Sequence, residues 1–453
     1  MTTIIKLSTL GLGCLTSMSI LNAKTIFSKQ SNQQNEKPNI VLIMVDDMGY
    51  GDFGCYGNTE IKTPNIDRLS KMGMKFTDFH SNGAVSSPTR CSLMTGCYQQ
   101  RNGIEGVITA ARHRDCGLNP EVTTIADLLQ KNGYDTAMYG KWHLGYAKRF
   151  NPVNYGFDSF VGYVSGNVDY FTHFDQAGYA DWWHGDTLTK EDGYTTTLIT
   201  DYAEKYLKKK HNKPFFLYVP FEACHYPWQG PKDVAIRHSV NGKYVRSSGR
   251  KDIRVAYKEM EEYLDDCVGR LMNTINECNL NKNTLILLFS DNGGSTNSCN
   301  YPLSGHKDMI LEGGHRVPAM FVWPGKIIPN QVSDQLVLTM DILPTVCDVT
   351  NSTYNKKDFD GISFLPTLIS GKNMPNRYVF WRNDRTSCAR QGCWKLMVNR
   401  KTNEKILINL DTDLQEKHNL SNQQPKITKK LLKALKKWES SFSNINQFTT
   451  YGG

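Results

Sequence analysis

The sequence predicts an α/β protein: a large, mostly parallel sheet sandwiched by helices, followed by a smaller C-terminal α+β subdomain of antiparallel strands and a terminal helix. Three observations carry this. Short continuous apolar runs at Asn39–Val45, Pro214–Val219 and Thr284–Ser290 fit strands buried on both faces. Helical segments alternate with such runs as far as Val349, the order that builds parallel sheets. After Phe359-Asp360-Gly361 the character changes to short strands between turns, at Tyr378–Arg382, Trp394–Asn399 and Lys405–Leu410. A last helix places Ile427, Leu431, Leu435, Trp438 and Phe442 on one face. No internal repeat is visible. Four parts are expected: a signal peptide over 1–23, a flexible leader over 24–37, a main domain over 38–357 and a C-terminal subdomain over 358–453.

The first segment reads as an export signal. Lys6 gives a positive start, Leu7 to Leu21 is largely apolar, and Leu21-Asn22-Ala23 offers a small-residue cleavage site. The run is too short and too rich in Ser, Thr and Gly for a membrane span. Leu12-Gly13-Cys14 is a weak lipoprotein alternative, because Gly11 stands where a larger apolar residue is usual. The expected location is therefore periplasmic or extracellular. Lys24 to Lys37 is polar and rich in Gln and Asn, as flexible leaders are. Of 12 cysteines one lies in the signal, so 12 − 1 = 11 remain, an odd number that leaves at least one thiol unpaired. Cys388 and Cys393 are placed to pair across a hairpin, and no zinc-type Cys spacing appears. The net charge of +9 suits a polyanionic partner. Much of the excess, Lys429, Lys430, Lys433, Lys436 and Lys437, falls on the terminal helix and reads as a solvated face, with no nucleic-acid partner expected.

Taken in order, the Asn39–Val45 strand ends in Asp46-Asp47, at the carboxyl edge where open α/β sheets bind ligands. Two carboxylates there are costly unless a cation lies between them. Thr63-Pro64 opens a capped helix. Thr123 to Lys131 is a helix closed by Gly133. The strand Asp135 to Tyr139 delivers Lys141 and His143 to the same edge; in an extended segment both point one way, which suits an anion. Asn151 to Gly193 lacks periodicity and reads as a long aromatic loop over that edge, with His173, Trp182 and Trp183 as candidate sugar-stacking residues. Pro214–Val219 leads to His225. A helix from Arg254 to Cys278 buries Met260, Leu264, Val268, Leu271 and Ile275, and Thr284–Ser290 ends in Asp291-Asn292. Ser304-Gly305-His306-Lys307 and Leu311 to Pro318 follow, the latter leading into a strand to Trp323.

The stretch Ser86-Ser87-Pro88-Thr89-Arg90, running on to Thr95-Gly96, resembles the signature of the sulfatases. So do Asp46-Asp47-Met48-Gly49-Tyr50-Gly51-Asp52, Thr63-Pro64-Asn65-Ile66-Asp67, Gly140-Lys141-Trp142-His143, His225-Tyr226-Pro227, Asp291-Asn292-Gly293 and the Ser304 and Leu311 phrases, in family order from Lys37 to about Phe442. Thr89 departs from the usual Ser or Ala. The resemblance implies an alkaline-phosphatase-like fold and a catalytic domain over 38–357. It implies that Ser86 is the modified residue, converted to formylglycine by a radical-type sulfatase-maturing enzyme. The chemistry explains the need. A plain serine would form a stable alkyl sulfate, whereas an aldehyde hydrate carries one hydroxyl to attack sulfur and another to expel sulfate.

The resemblance further implies a metal held by Asp46, Asp47, Ser86, Asp291 and Asn292. These are hard oxygen donors, which favours Ca²⁺ ahead of Mg²⁺ and both over zinc. Related two-zinc phosphatases usually have Asp-His where this chain has Asp291-Asn292, so a soft nitrogen ligand is missing, which argues against a two-zinc enzyme. Lys141, Lys307 and His225 are implied to bind the sulfate ester, Arg90 to hold the hydrate, and His143 to take its proton during sulfate release. His225 or Lys307 would protonate the leaving alcohol. His306 and His315 are assigned structural hydrogen bonds. The implied activity is sulfate-ester hydrolysis, with a sulfated carbohydrate as the expected substrate. An arylsulfatase or a phosphonate or phosphate monoesterase is the alternative enzyme. A sulfoglycan-binding form is the alternative if Ser86 stays unmodified.

Overall fold

The structure is a computed structural model and describes residues 37–240 and 243–449; the expected signal and leader lie outside them, except Lys37. From Pro38 onward the chain is one compact unit. Its ten-stranded sheet runs in the order Gln331–Ser333, Met74–Phe76, Ala319–Val322, Thr284–Ser290, Asn39–Val45, Phe215–Pro220, Asp135–Lys141, Ser159–Tyr163, Trp183–His184, Thr187–Leu188. The five strands from Thr284–Ser290 to Ser159–Tyr163 are mutually parallel, and antiparallel strands flank them on both sides. The central strand Asn39–Val45 is apolar and buried from Ile40 on, because both faces are covered. Ile40, Leu42 and Met44 enter one core, and Val41, Ile43 and Val45 the other, as alternation along a strand dictates.

The helices follow their apolar spacing. Ile253–Glu277 buries Met260, Leu264, Val268, Leu271 and Ile275 against the second core. Ile125–Lys131 starts two residues later than Thr123, because Thr124 caps it: its hydroxyl accepts from Asp127 N while Asp127 accepts in return. At Pro64–Lys71 the Thr63 hydroxyl instead accepts from Gly54 N, so the helix begins on its proline.

The C-terminal part is a separate four-stranded antiparallel sheet, Val379–Arg382, Thr386–Gln391, Trp394–Asn399 and Lys405–Asn409, with helix Pro425–Ser440 packed on it. Leu431, Leu435 and Trp438 face the sheet, and the six lysines of this helix face water. The subdomain is bolted to the sheet domain by buried pairs, including Arg382 with Glu105, Arg390 with Asp78 and Lys395 with Glu312.

Two expectations are corrected. Asn151–Gly193 is not one loop, because it supplies the parallel strand Ser159–Tyr163 and the edge hairpin Trp183–His184/Thr187–Leu188. Cys388 and Cys393 do not pair, because Cys388 faces the subdomain core opposite Met397 while Cys393 lies at the turn; all eleven described cysteines are free. Among the described residues no helix is long and apolar enough to cross a membrane.

Candidate active site

Parallel pairing brings the chemistry to one edge. Val45 lies opposite Ser290 and Met44 opposite Pro220, so Asp46 and Asp291 leave adjacent strands side by side. The backbone tightens this, with Asp291 N donating to Val45 O at 3.0 Å and Asp46 N to Ala223 O at 3.1 Å. Ser86 opens the helix Ser86–Thr95, every residue of which is buried. Arg90 follows one turn later on the same helix face.

Arg90 is the cation that this edge is built around. Its Nε donates to Ser86 Oγ at 2.8 Å and to Asp291 Oδ2 at 3.2 Å. Its Nη2 donates to Asp291 Oδ2 at 3.0 Å and Asp46 Oδ2 at 3.4 Å, and Nη1 to the Lys141 carbonyl at 3.0 Å. A buried guanidinium is tolerable only with such compensation, and its planar fork lets one side chain hold a hydroxyl and two carboxylates together.

His143 reaches the same hydroxyl, but not from an extended backbone as the sequence reading has it. Pairing continues past Lys141, with Trp142 N on Tyr163 O, and His143 then adopts φ 60°. That left-handed turn, uncommon for a residue with a Cβ, aims the ring inward. Its Nδ1 is 3.0 Å from Ser86 Oγ, and its Nε2 is 3.0 Å from the Ile108 carbonyl. A carbonyl can only accept, so Nε2 carries the proton and Nδ1 is a bare acceptor facing residue 86. Burial, together with the nearby Lys141 and Arg90 cations, pushes the ring well below the ordinary histidine range.

The carboxylates are over-supplied with negative charge and under-supplied with donors. Lys141 is buried beneath the site with its ammonium on Asp46, and Lys307 bridges to Asp47 at 2.7 Å. Asn292 donates its amide to Asp47 Oδ1 at 2.8 Å. Yet Asp46 Oδ1 and the side-chain Oδ1 of Asn292 are buried without a hydrogen-bond partner among the described residues. Burial and the neighbouring Asp291 raise Asp46 to about 7. Burial opposes the charge of Asp47 as well, but Lys307 and His225 hold it well below the usual carboxylate range. Two orphaned acceptor oxygens amid carboxylates are what a hard divalent cation satisfies, so the residues present fit the expected metal.

A cavity of about 330 Å³ opens over this floor. Ser86, His143, His225 and Lys307 line it, with Thr109, Tyr146, Asn167, Gln176, Tyr226 and Asp308 around them. Sequence reasoning missed these six, because they come from segments without strand or helix periodicity. Lys141 does not line it, since its ammonium is engaged by Asp46 below. The aromatic expectation is corrected too. His173 stacks on Trp182 at 4.4 Å, Trp182 is 1% exposed with its indole N–H on Glu191, and Trp183 donates to Asp181. None of the three lines the cavity; they pack the layer behind it. His306 and His315 make structural hydrogen bonds, to the Lys307 carbonyl and within the buried His80–Lys395 cluster.

A hydroxyl at the start of a buried helix, facing a bare histidine nitrogen above an oxygen-rich cation pocket, defines a hydrolase of anionic esters. The chain belongs to the sulfatase family, the sulfuric ester hydrolases: the Sulfatase family model matches residues 38–352, and the N-sulphoglucosamine sulphohydrolase C-terminal model matches 305–441. Mouse N-acetylgalactosamine-6-sulfatase is 31% identical over 388 residues, covering 80% of this chain and 72% of that one. Human arylsulfatase A is 31% identical over 377 residues, covering 76% and 70%. The solved structure of Ps i-CgsB in complex with k-i-k-neocarrahexaose superposes with a TM-score of 0.80 at 29% identity, covering 92% of this chain and 95% of that one.

Proposed function

We propose that this chain is an exported carbohydrate sulfatase that hydrolyses a sulfate ester through formylglycine made from Ser86, with a calcium ion at Asp46, Asp47, Asp291 and Asn292. The observation that carries the reading is the shared grip on Ser86 Oγ, by His143 Nδ1 at 3.0 Å and Arg90 Nε at 2.8 Å, beside two unpartnered oxygen acceptors. The carbohydrate part is supported by the relatives named as N-acetylgalactosamine-6-sulfatases, by the carrahexaose-bound neighbour, and by the polar cavity rim at Asn167, Gln176 and Asp308. Export rests on the N-terminal sequence.

The roles follow from charge and geometry. A divalent cation here would neutralise one sulfate oxygen. As a hydrated formylglycine, residue 86 would supply both the nucleophilic hydroxyl and the second hydroxyl that lets sulfate leave. Arg90 fixes that residue's orientation. His143, with its tautomer locked by Ile108, accepts a proton from the hydroxyl as sulfate departs. His225 donates Nδ1–H to the Tyr226 carbonyl at 2.7 Å, so its Nε2 faces Asp47 and the cavity. An entering sulfate favours the charged form of His225, which brings a second proton donor beside Lys307 to the leaving oxygen.

The test is release of inorganic sulfate from sulfated mono- and disaccharides by a Ser86→Cys variant. It is made in a host whose maturation system accepts cysteine, with formylglycine confirmed by mass and with or without a calcium chelator. Release from a sugar, lost on chelation, is the expected result. Silence on sugars with turnover of aryl sulfates or phosphates would move the assignment to an arylsulfatase or monoesterase. Binding without turnover in the unmodified Ser86 protein would identify the sulfoglycan-binding form.

A further inference from the structure

A second cavity, about 340 Å³, lies on the far side of the segment His306-Lys307-Asp308. The two cavities share Asp308 as a wall; Lys307 lines the first and His306 the second. The second is lined by the 306–311 segment together with the C-terminal subdomain, and none of the residues on the sulfate-binding floor lines it. Its bed is apolar, with Met397, Ile406 and Leu311, and with Met309 left 38% exposed beside them. Its rim is charged, with Arg385 and Glu404. Both side chains are exposed, and neither makes a hydrogen bond or ion pair to another described residue.

The rim is held in place. Asn383, buried at 3% exposure, accepts from the backbone N–H of Arg385 and of Thr386 at 3.0 and 2.8 Å. Its amide donates to the Asp308 carbonyl at 2.9 Å. One buried side chain therefore fixes the wall between the cavities and the base of Arg385 together. Arg400 N closes the turn on Arg385 O at 2.9 Å. An apolar bed edged by an exposed carboxylate and an exposed guanidinium matches a pyranose. Such a ring presents a C–H face to apolar side chains and equatorial hydroxyls to charged ones.

We propose that the second cavity is a subsite for the sugar residue next to the sulfated one, so that the substrate is at least a disaccharide laid across Asp308. Arg385 and Glu404 hydrogen-bond its hydroxyls, and Met309 and Met397 lie under its ring. This rests on the carbohydrate-sulfatase reading and makes it more specific.

The experiment uses the full-length enzyme with formylglycine confirmed by mass. The probes are galactose and N-acetylgalactosamine sulfates, each as the free sugar and as a disaccharide carrying the same sulfated ring. The wild type should show kcat/KM about tenfold higher or more on the disaccharide, the equivalent of one or two good hydrogen bonds. In Arg385→Ala/Glu404→Ala, two exposed positions whose loss threatens no core, that ratio should collapse towards one through a rise in KM for the disaccharide. Equal kcat/KM on both probes in the wild type, or a ratio that survives the double substitution, overturns the subsite while leaving a carbohydrate sulfatase in place. No sulfate release from any sugar overturns the subsite together with the reading beneath it.

Discussion

His143 Nδ1 lies 3.0 Å from Ser86 Oγ, while the other nitrogen of the same ring is pinned to the Ile108 carbonyl at 3.0 Å. The ring is thereby fixed as a base toward residue 86. In the matured enzyme His143→Ala should lower kcat by about 10²–10⁴-fold, the range for a positioned general base, with KM little changed. Stopped reactions should then hold sulfate covalently on the peptide containing residue 86, read by mass. Wild-type kcat in this variant would exclude His143 as the base.

The unpartnered Asp46 Oδ1 and Asn292 Oδ1 predict a calcium-dependent stability. A ligand that binds only the folded state stabilises by about 2.7 kcal/mol at a hundred times its Kd, so Tm should climb with the logarithm of added Ca²⁺ after chelation. Magnesium, which demands tighter octahedral geometry, should give a smaller rise. Asn292→Leu should abolish the dependence. A Tm indifferent to both ions in the native protein would remove the metal from this site.

Asp78 predicts the acid limb of stability. Its carboxylate receives Arg390 of the C-terminal subdomain at 2.6 Å and Arg316 of its own sheet domain at 3.3 Å. Burial opposes its charge, but Arg390 and Arg316 more than offset that and hold the group well below the usual carboxylate range. A carboxyl depressed in this way contributes stability that is fully present above its unfolded value of about 4 and lost as the pH falls toward the folded one. Asp78→Asn should cost about 3 kcal/mol at pH 7, because Arg390 and Arg316 lose a charged partner and keep only Glu312, and should flatten the fall in stability below about pH 4. Denaturant melts at several pH values measure both. An unchanged acid slope would assign that limb to other groups.

The sheet's centre was legible in the sequence because buried parallel strands announce themselves. Thr284–Ser290 and Asn39–Val45 have the expected limits, ending at Asp291-Asn292 and Asp46-Asp47 respectively. The site residues were legible because each motif closes a strand or opens a helix at that edge. Ser159–Tyr163 was not, since a short strand with a glycine inside an aromatic-rich stretch has no period to read. Trp182 was misjudged because a buried and an exposed tryptophan look alike in sequence. Pairings such as Glu105 with Arg382 were invisible, since partners 277 residues apart leave no local signal.

His225 and Lys307 both line the cavity, and leaving-group chemistry can separate their proposed roles. A general acid matters most when the departing alkoxide is basic, as a sugar alkoxide is, and least for 4-nitrophenolate, which leaves without a proton. Removing the acid should therefore lower kcat/KM on a sugar sulfate by about 10²–10⁴-fold but barely touch turnover of 4-nitrophenyl sulfate. Removing a group that only binds sulfate should lower both alike, since both substrates present the same sulfate. Lys307 is held on Asp47 at 2.7 Å, and burial of its ammonium is outweighed by Asp47, which raises its pKa. A proton held that tightly is reluctant to transfer. Burial, with Lys307 beside it, pushes His225 well below the ordinary range, so a proton gained with the sulfate is readily given up. The expected result is a selective loss on sugar sulfates in His225→Ala and a uniform loss in Lys307→Ala; the reverse pattern would assign the acid to Lys307.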